Sequence, residues 1–309
     1  MSKQKPQLSV DIGGGVSLKN PIITASGTYG YGEEFEQLYD ISLLGAVCTK
    51  GLSLMPREGN PMPRIIETPS GMINSIGLQN VGIERFLAEK LPFLRETGAT
   101  VIANIFGETA EDYVRLAEQL SGIEGVHYLE LNVSCPNVKK GGIEFGVDPV
   151  LSAQLVREVK KVTKLPVMVK LSPSAPSIPE MARAMEAAGA DSLSVINTIP
   201  AMEIDVAKRR PVLTRVTGGL SGPAIRPIAL RMVWEAVQNV SIPVIGIGGI
   251  MTTEDVLRFL IVGAKAVQVG TANYVDPYVC LRLIEELEAW FAREKINDIK
   301  ELIGSLELP

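Results

Sequence analysis

Eight short apolar runs recur along the chain, at 21–25, 46–49, 100–105, 127–131, 166–171, 192–196, 243–247 and 266–269. Each closes in a turn, and most are followed by a helical pattern. Hydrophobicity within most of them is continuous rather than alternating, the mark of strands covered on both faces and hence of a parallel sheet. Neighbouring parallel strands need long crossovers, which the intervening helices supply. Eight strands alternating with helices predict an α/β fold, a (β/α)₈ TIM barrel. An open doubly wound sheet is the alternative, but no Gly-x-Gly-x-x-Gly follows the first run.

Local signals agree with that reading. Gly45-Ala46, Gly98-Ala99, Gly189-Ala190 and Gly263-Ala264 stand where a helix ends and a strand begins, and a left-handed glycine can close such a helix. Pro166-Val167 and Pro243-Val244 open two other strands, where proline is tolerated. Thr109 with Asp112 and Ser177 with Glu180 have capping-box spacing. Behind them Tyr113, Leu116, Ala117 and Leu120, then Met181, Ala184, Met185 and Ala188, share single helical faces. Two segments after strands, 51–80 and 197–222, are too long for simple barrel loops and are expected to fold into extra strands over the barrel mouth.

Length suits one barrel domain spanning 1–309. With 46% hydrophobic and 21% charged residues the chain has the composition of a globular protein with a large core. A net charge of −5 without a basic stripe argues against a nucleic-acid surface. The polar start at 1–7 predicts no signal peptide, and the apolar stretch 256–269 is broken by Arg258 and Lys265, so no membrane span is expected. Cys48, Cys135 and Cys280 are few and far apart, which fits a reducing cytoplasm rather than a disulfide scaffold. Three scattered thiols cannot supply the four thiolates of an iron–sulfur cluster, and no metal site is expected.

The strand ends carry the chemistry. Ser26, Lys50, Asn104, Asn132, Lys170, Asn197, Gly248-Gly249 and Gly270-Thr271 stand at the carboxyl ends of the eight runs. Any one asparagine could cap a turn. In a barrel, though, all eight endings converge on one ring. Glycines after the seventh and eighth strands let backbone N–H groups approach an anion closely, and loops there are the habitual phosphate site of this fold. A lysine at the inner end of an apolar strand is costly without a fixed anion, although its stem can also snorkel to the rim. Lys50 and Lys170 facing a phosphate site suggest a large anionic cofactor, and flavin mononucleotide (FMN) fits. Proton transfer needs a titratable group, and the one histidine, His127, lies in a strand rather than at its end. Cys135, in a loop stiffened by Pro136, is the candidate, although an isolated cysteine is more often a small buried hydrophobe.

The segments 74–80 (Asn-Ser-Ile-Gly-Leu-Gln-Asn), 131–137 (Leu-Asn-Val-Ser-Cys-Pro-Asn), 169–173, 196–198, 218–223 and 246–250 (Gly-Ile-Gly-Gly-Ile) closely resemble dihydroorotate dehydrogenase, and the likeness runs from Val10 to Asp276. It implies an FMN enzyme that oxidises dihydroorotate to orotate in pyrimidine (UMP) biosynthesis. By this resemblance Cys135 is the base that takes the substrate's C5 proton. Asn74, Ser75, Ile76, Gly77 and Leu78, with Lys50, Asn132, Asn197 and Thr198, would bind substrate. Ser26, Lys50, Gly51, Asn104, Asn132 and Lys170 would contact FMN, as would Ile196, Gly222, Gly248, Gly249, Gly270 and Thr271. Asparagine amides both donate and accept, which suits a ring of alternating carbonyls and N–H groups.

Within the family, 139–149, 201–211 and 217–222 resemble the NAD-linked type 1B catalytic subunit. Quinone-linked members use serine as the base and carry an N-terminal membrane-associating extension, and neither is expected here. The resemblance implies a catalytic dimer within a heterotetramer, with FAD and a [2Fe-2S] cluster on the partner electron-transfer subunit. A homodimeric fumarate-linked enzyme, a dihydropyrimidine dehydrogenase-like FMN barrel and a non-catalytic flavin-binding barrel are the alternatives.

Overall fold

The structure, a computed structural model, describes residues 5–133 and 142–309, with 142–144 described by backbone alone. Eight strands, β1 (Ile22–Thr24), β2 (Ala46–Cys48), β3 (Val101–Ile105), β4 (Tyr128–Asn132), β5 (Val167–Leu171), β6 (Ser192–Val195), β7 (Val244–Ile247) and β8 (Ala266–Val269), form a closed barrel. Every pairing is parallel, including the closure of β8 on β1. The expected (β/α)₈ architecture is present, and each strand lies within a residue or two of its apolar run. Strand residues are buried on both faces almost without exception, as continuous apolar runs require.

Helices cover the barrel with the faces their spacing dictates. In Ala110–Leu120 the buried residues are Tyr113, Leu116, Ala117 and Leu120. In Ile178–Ala187 they include Met181, Ala182 and Met185, while Ala184 is half-buried. Burying each large side chain stabilises the fold by about 1.5–3 kcal/mol, so Leu116→Ala would cost about 2–5 kcal/mol once the cavity is included. Thr109 and Asp112 form a reciprocal capping box, as do Thr252 and Asp255. The Ser177 hydroxyl accepts from the Glu180 amide.

One glycine departs from its expected role. Gly98, Gly189 and Gly263 have φ of 69°, 93° and 109° and close their helices as anticipated. Gly45 is absent from the left-handed group, and a side chain there would lie 2.3 Å from the Asn20 carbonyl oxygen and 2.8 Å from that of Ile22. Glycine stands at 45 because β1 passes too close for a Cβ.

The two insertions meet each other. Ile65–Thr68 and Gly71–Asn74 from the first, and Ile199–Met202 and Thr217–Ser221 from the second, make one antiparallel four-stranded sheet. Gly219 pairs with Asn74 across its centre. At the other end of the barrel an unforeseen hairpin, Val10–Asp11 with Ser17–Leu18, lies against the strand starts. Tyr128 fastens it, donating its hydroxyl to the Ile12 carbonyl at 3.1 Å. Among the described residues no helix is long and apolar enough to cross a membrane.

Candidate active site

Parallel strands all deliver their carboxyl ends to one face, and the four-stranded sheet stands over it. Between them lies a cleft of about 1330 Å³, its open mouth included. The barrel contributes Ser26, Lys50, Gly51, Asn104, Asn132 and Lys170 to its wall. Ile196, Asn197, Thr198, Gly248, Gly249, Gly270 and Thr271 follow from the later strands. The sheet and its loops add Asn74, Ile76, Gly77, Leu78 and Gly222. Ser75 does not line the cleft: it is 1% exposed, with its amide donated to the Arg64 carbonyl. Cys135 lies outside the described residues.

One stretch of the wall is built of backbone. Gly249 has φ of 69°, and a Cβ there would come within 2.7 Å of both the Gly222 carbonyl oxygen and the Arg226 Cβ. No side chain fits, so the peptide itself is the surface. Arg226 begins the helix Arg226–Val237, whose N-terminus adds partial positive charge beside these glycines. Asp255 holds the arrangement, accepting from the Met251 and Thr252 amides at 3.1 Å each and from Arg226 at 2.5 Å. Thr271 Oγ1 is 2.8 Å from Ser221 Oγ, joining β8 to the mouth sheet.

Another stretch is amide-rich. Asn197 Nδ2 donates to Asn132 Oδ1 at 3.3 Å, and the Thr198 amide donates to Asn197 Oδ1 at 2.7 Å. Asn74 Nδ2 reaches the Gly219 carbonyl at 3.4 Å. The Tyr113 hydroxyl donates to the Asn132 carbonyl at 2.8 Å, bracing the end of β4 from its covering helix. Ile65, Met72, Ile225, Ile250 and Met251 supply apolar wall between these polar groups. Such a site suits a flat heteroaromatic ligand with an anionic tail.

The profile of the family described as dihydroorotate dehydrogenase matches residues 7–291. The chain belongs to the dihydroorotate dehydrogenase family. It is 56% identical over 303 residues to the dihydroorotate dehydrogenase B (NAD(+)), catalytic subunit, of Trichlorobacter lovleyi, which spans 98% of this chain and 99% of that one. The protein of the same description from Geobacter sulfurreducens is 56% identical over 305 residues, 99% of this chain and 100% of that one. The corresponding protein of Thermodesulfovibrio yellowstonii is 53% identical over 302 residues, 98% of this chain and 99% of that one.

Dihydroorotate dehydrogenases are in general flavin-dependent, and in this member one residue behind the cleft escaped the reading of strand ends. Glu130, in the middle of β4, is fully buried in the barrel. Its Oε1 accepts from Ser194 Oγ at 2.7 Å and from Gln268 Nε2 at 2.6 Å. Its Oε2 accepts from Asn104 Nδ2 at 2.6 Å and from Cys48 Sγ at 3.3 Å. Burial alone would raise this carboxyl's pKa, but the charge of Lys170 and the donated hydrogen bonds outweigh it and hold the group below its usual range. The same surroundings push the Cys48 thiol well up, through burial first and Glu130 second. The signal was present as a lone acid inside an apolar run. Tyr274 was also missed: it lines the cleft and donates its hydroxyl to the Gly27 carbonyl at 3.2 Å.

Proposed function

We propose that the chain is the catalytic subunit of an NAD-linked dihydroorotate dehydrogenase, oxidising (S)-dihydroorotate to orotate in pyrimidine biosynthesis. The observation that carries this reading is a single cleft uniting glycine backbone from β7 and β8, asparagines from β3, β4 and β6, and lysines from β2 and β5. The described names of relatives at 53–56% identity support the NAD-linked form over the fumarate-linked one.

The residues present fit FMN. Asn104 keeps a buried Oδ1 without a hydrogen-bond partner among the described residues, an acceptor awaiting a donor. The Gly249 surface accepts no Cβ, leaving backbone to meet a phosphate. Gly222, Gly248, Gly249, Gly270 and Thr271 would hold that phosphate. Ser26, Lys50, Gly51, Asn104, Asn132, Lys170 and Ile196 would face the ring. When bound, FMN supplies the acceptor for the hydride leaving the substrate's C6.

The chain's own residues do the rest. Asn132 and Asn197, already joined to each other, would orient the pyrimidine with Asn74 and Thr198, and Lys50 would meet its carboxylate. The loop after Asn74 brings Ile76, Gly77 and Leu78 to the same wall, where they would exclude water from a bound ring. Cys135 would take the C5 proton as thiolate, leaving a thiol that returns the proton to solvent. A partner subunit carrying FAD and a [2Fe-2S] cluster would take up the electrons, in a cytoplasmic heterotetramer built on a catalytic dimer.

Anaerobic addition of dihydroorotate to the purified chain tests the reading directly. The expected result is bleaching of flavin absorbance in proportion to substrate. An FMN-loaded chain whose absorbance dihydroorotate leaves unchanged would refute it.

A further inference from the structure

Glu130 touches no position expected to meet substrate, yet it sits at the centre of the barrel with its two oxygens gathering donors from four strands. Ser194 comes from β6, Gln268 from β8, Asn104 from β3 and Cys48 from β2. A carboxylate can only accept, so at 2.6 Å Asn104 must turn its NH₂ inward. Its carbonyl oxygen is then forced to the other side, where it is buried and finds no partner among the described residues. That oxygen adjoins the cleft wall at Gly51, where a Cβ would stand 2.8 Å from it. A free amide could present either end, and a reversed one would offer a donor where an acceptor now stands.

We infer that Glu130 is a positioning residue, which locks the Asn104 amide so that its carbonyl oxygen, rather than its NH₂, meets a hydrogen-bond donor of the bound flavin. The inference rests on the proposed flavin site and deepens it. Lys170, 6% exposed at the next inward position of β5, offsets the buried charge and lets the carboxylate stay ionised. Charge-assisted bonds are roughly twice as strong as neutral ones, which is why a carboxylate holds the amide more firmly than a neutral acceptor would.

The test is FMN affinity, read by quenching of free FMN fluorescence on addition to the cofactor-free chain, in a double-mutant cycle. Glu130→Met, similar in size but without an acceptor, is expected to weaken FMN binding at least ~10-fold, the scale of one misdirected buried hydrogen bond. Glu130→Gln should restore most of the affinity, since one amide oxygen can still accept from Asn104. Placed in an Asn104→Ala background, Glu130→Met should have almost no further effect, because the group it acts through is gone. Should Glu130→Met fail to fold, Glu130→Gln becomes the measured variant, with a weakening of about threefold expected from replacing a charge-assisted bond by a neutral one. Unchanged affinity in the folded variant, or the same loss with and without the Asn104 amide, would overturn the proposal. A wild-type chain that takes up no FMN would instead sink the flavin reading beneath it.

Discussion

Asn197 Nδ2 lies 3.3 Å from Asn132 Oδ1, tying the loop after the sixth strand to the end of the fourth across the barrel rim. The Thr198 backbone amide donates to Asn197 Oδ1 at 2.7 Å, so the Asn197 side chain is held from both ends. Preorganisation of this kind restricts the orientation of the Asn132 side chain.

Asn197→Ala is therefore expected to weaken dihydroorotate binding by at least ~10-fold, because a site built to hydrogen-bond a polar ring loses heavily when its amides are unpaired. FMN should stay bound. Spectral titration of the oxidised flavin with orotate measures the loss, and an unchanged dissociation constant would remove Asn197 from the substrate site.

The phosphate end can be probed without straining the fold. Substituting Gly249 forces a Cβ against the Gly222 carbonyl, so any loss there mixes cofactor with backbone. Gly270 is different: its nearest neighbour to an added Cβ is the Ala25 Cβ at 3.5 Å, an ordinary contact. Gly270→Asp should fold with a melting temperature close to that of the cofactor-free wild type, yet purify colourless, because its charge would oppose a phosphate. Normal flavin content in that variant would move the phosphate elsewhere.

Glu130 also predicts an acid response. Its folded pKa lies below the ordinary 4.5, through Lys170 and its donors acting against burial. In the unfolded chain it therefore binds protons more readily than in the folded one. Its contribution to stability is complete above about pH 4.5 and falls away as pH drops through the lower folded value. Glu130→Gln cannot titrate, so its melting temperature should decline less steeply than wild type below pH 4.5. Parallel declines from pH 6 to 3 would show that the carboxylate is not ionised in the fold.

Cys135 should act as general base. Free thiols titrate near ~8.5, and a cationic surrounding lowers that toward working pH. Cys135→Ala is expected to retain FMN and to slow flavin reduction by ~10²–10⁴-fold, the usual worth of a positioned base. Cys135→Ser should keep some activity, with its profile moved to higher pH. Stopped-flow reduction at equal rates in wild type and the alanine variant, across pH, would dismiss the assignment.

Much of this was legible in sequence, and the reasons are physical. Continuous apolar runs mark buried parallel strands, and residues at their ends must converge once the barrel closes, so the sequence alone places Lys50, Asn104, Asn132 and Lys170 on one ring. The joining of 65–74 with 199–221 was only half legible, because antiparallel pairing between distant insertions leaves no local periodicity to read. Glu130 was hidden by its own neighbours: within Tyr-Leu-Glu-Leu-Asn the run still scores as apolar, and only three-dimensional closure shows four strands donating to one carboxylate. Gly45 was misread for a related reason, since close approach and positive φ both demand glycine and the sequence cannot tell them apart.

The acceptor half-reaction gives the last expectation. Dihydroorotate oxidation at FMN needs only the cleft, so the isolated chain should reduce its own flavin. On the proposed reading, passing electrons on to NAD falls to the partner subunit. Of its three cysteines, Cys48 is buried at Glu130 in the barrel and Cys280 is buried in the helix Val279–Glu294, its Sγ 3.4 Å from Asn273 Oδ1. Burial pushes the Cys280 thiol up to about 12, the opposite of a cluster ligand, which must be a thiolate. No Gly-x-Gly-x-x-Gly follows the first strand in the sequence to cradle a dinucleotide. Dihydroorotate-dependent NADH formation, followed at ~340 nm, the absorbance of the reduced nicotinamide that such an enzyme would produce, should therefore be absent with the chain alone. It should appear when a subunit carrying FAD and a [2Fe-2S] cluster is added. Robust NADH production by the chain alone would defeat the NAD-linked assembly proposed here, and efficient fumarate reduction by it would favour the homodimeric form.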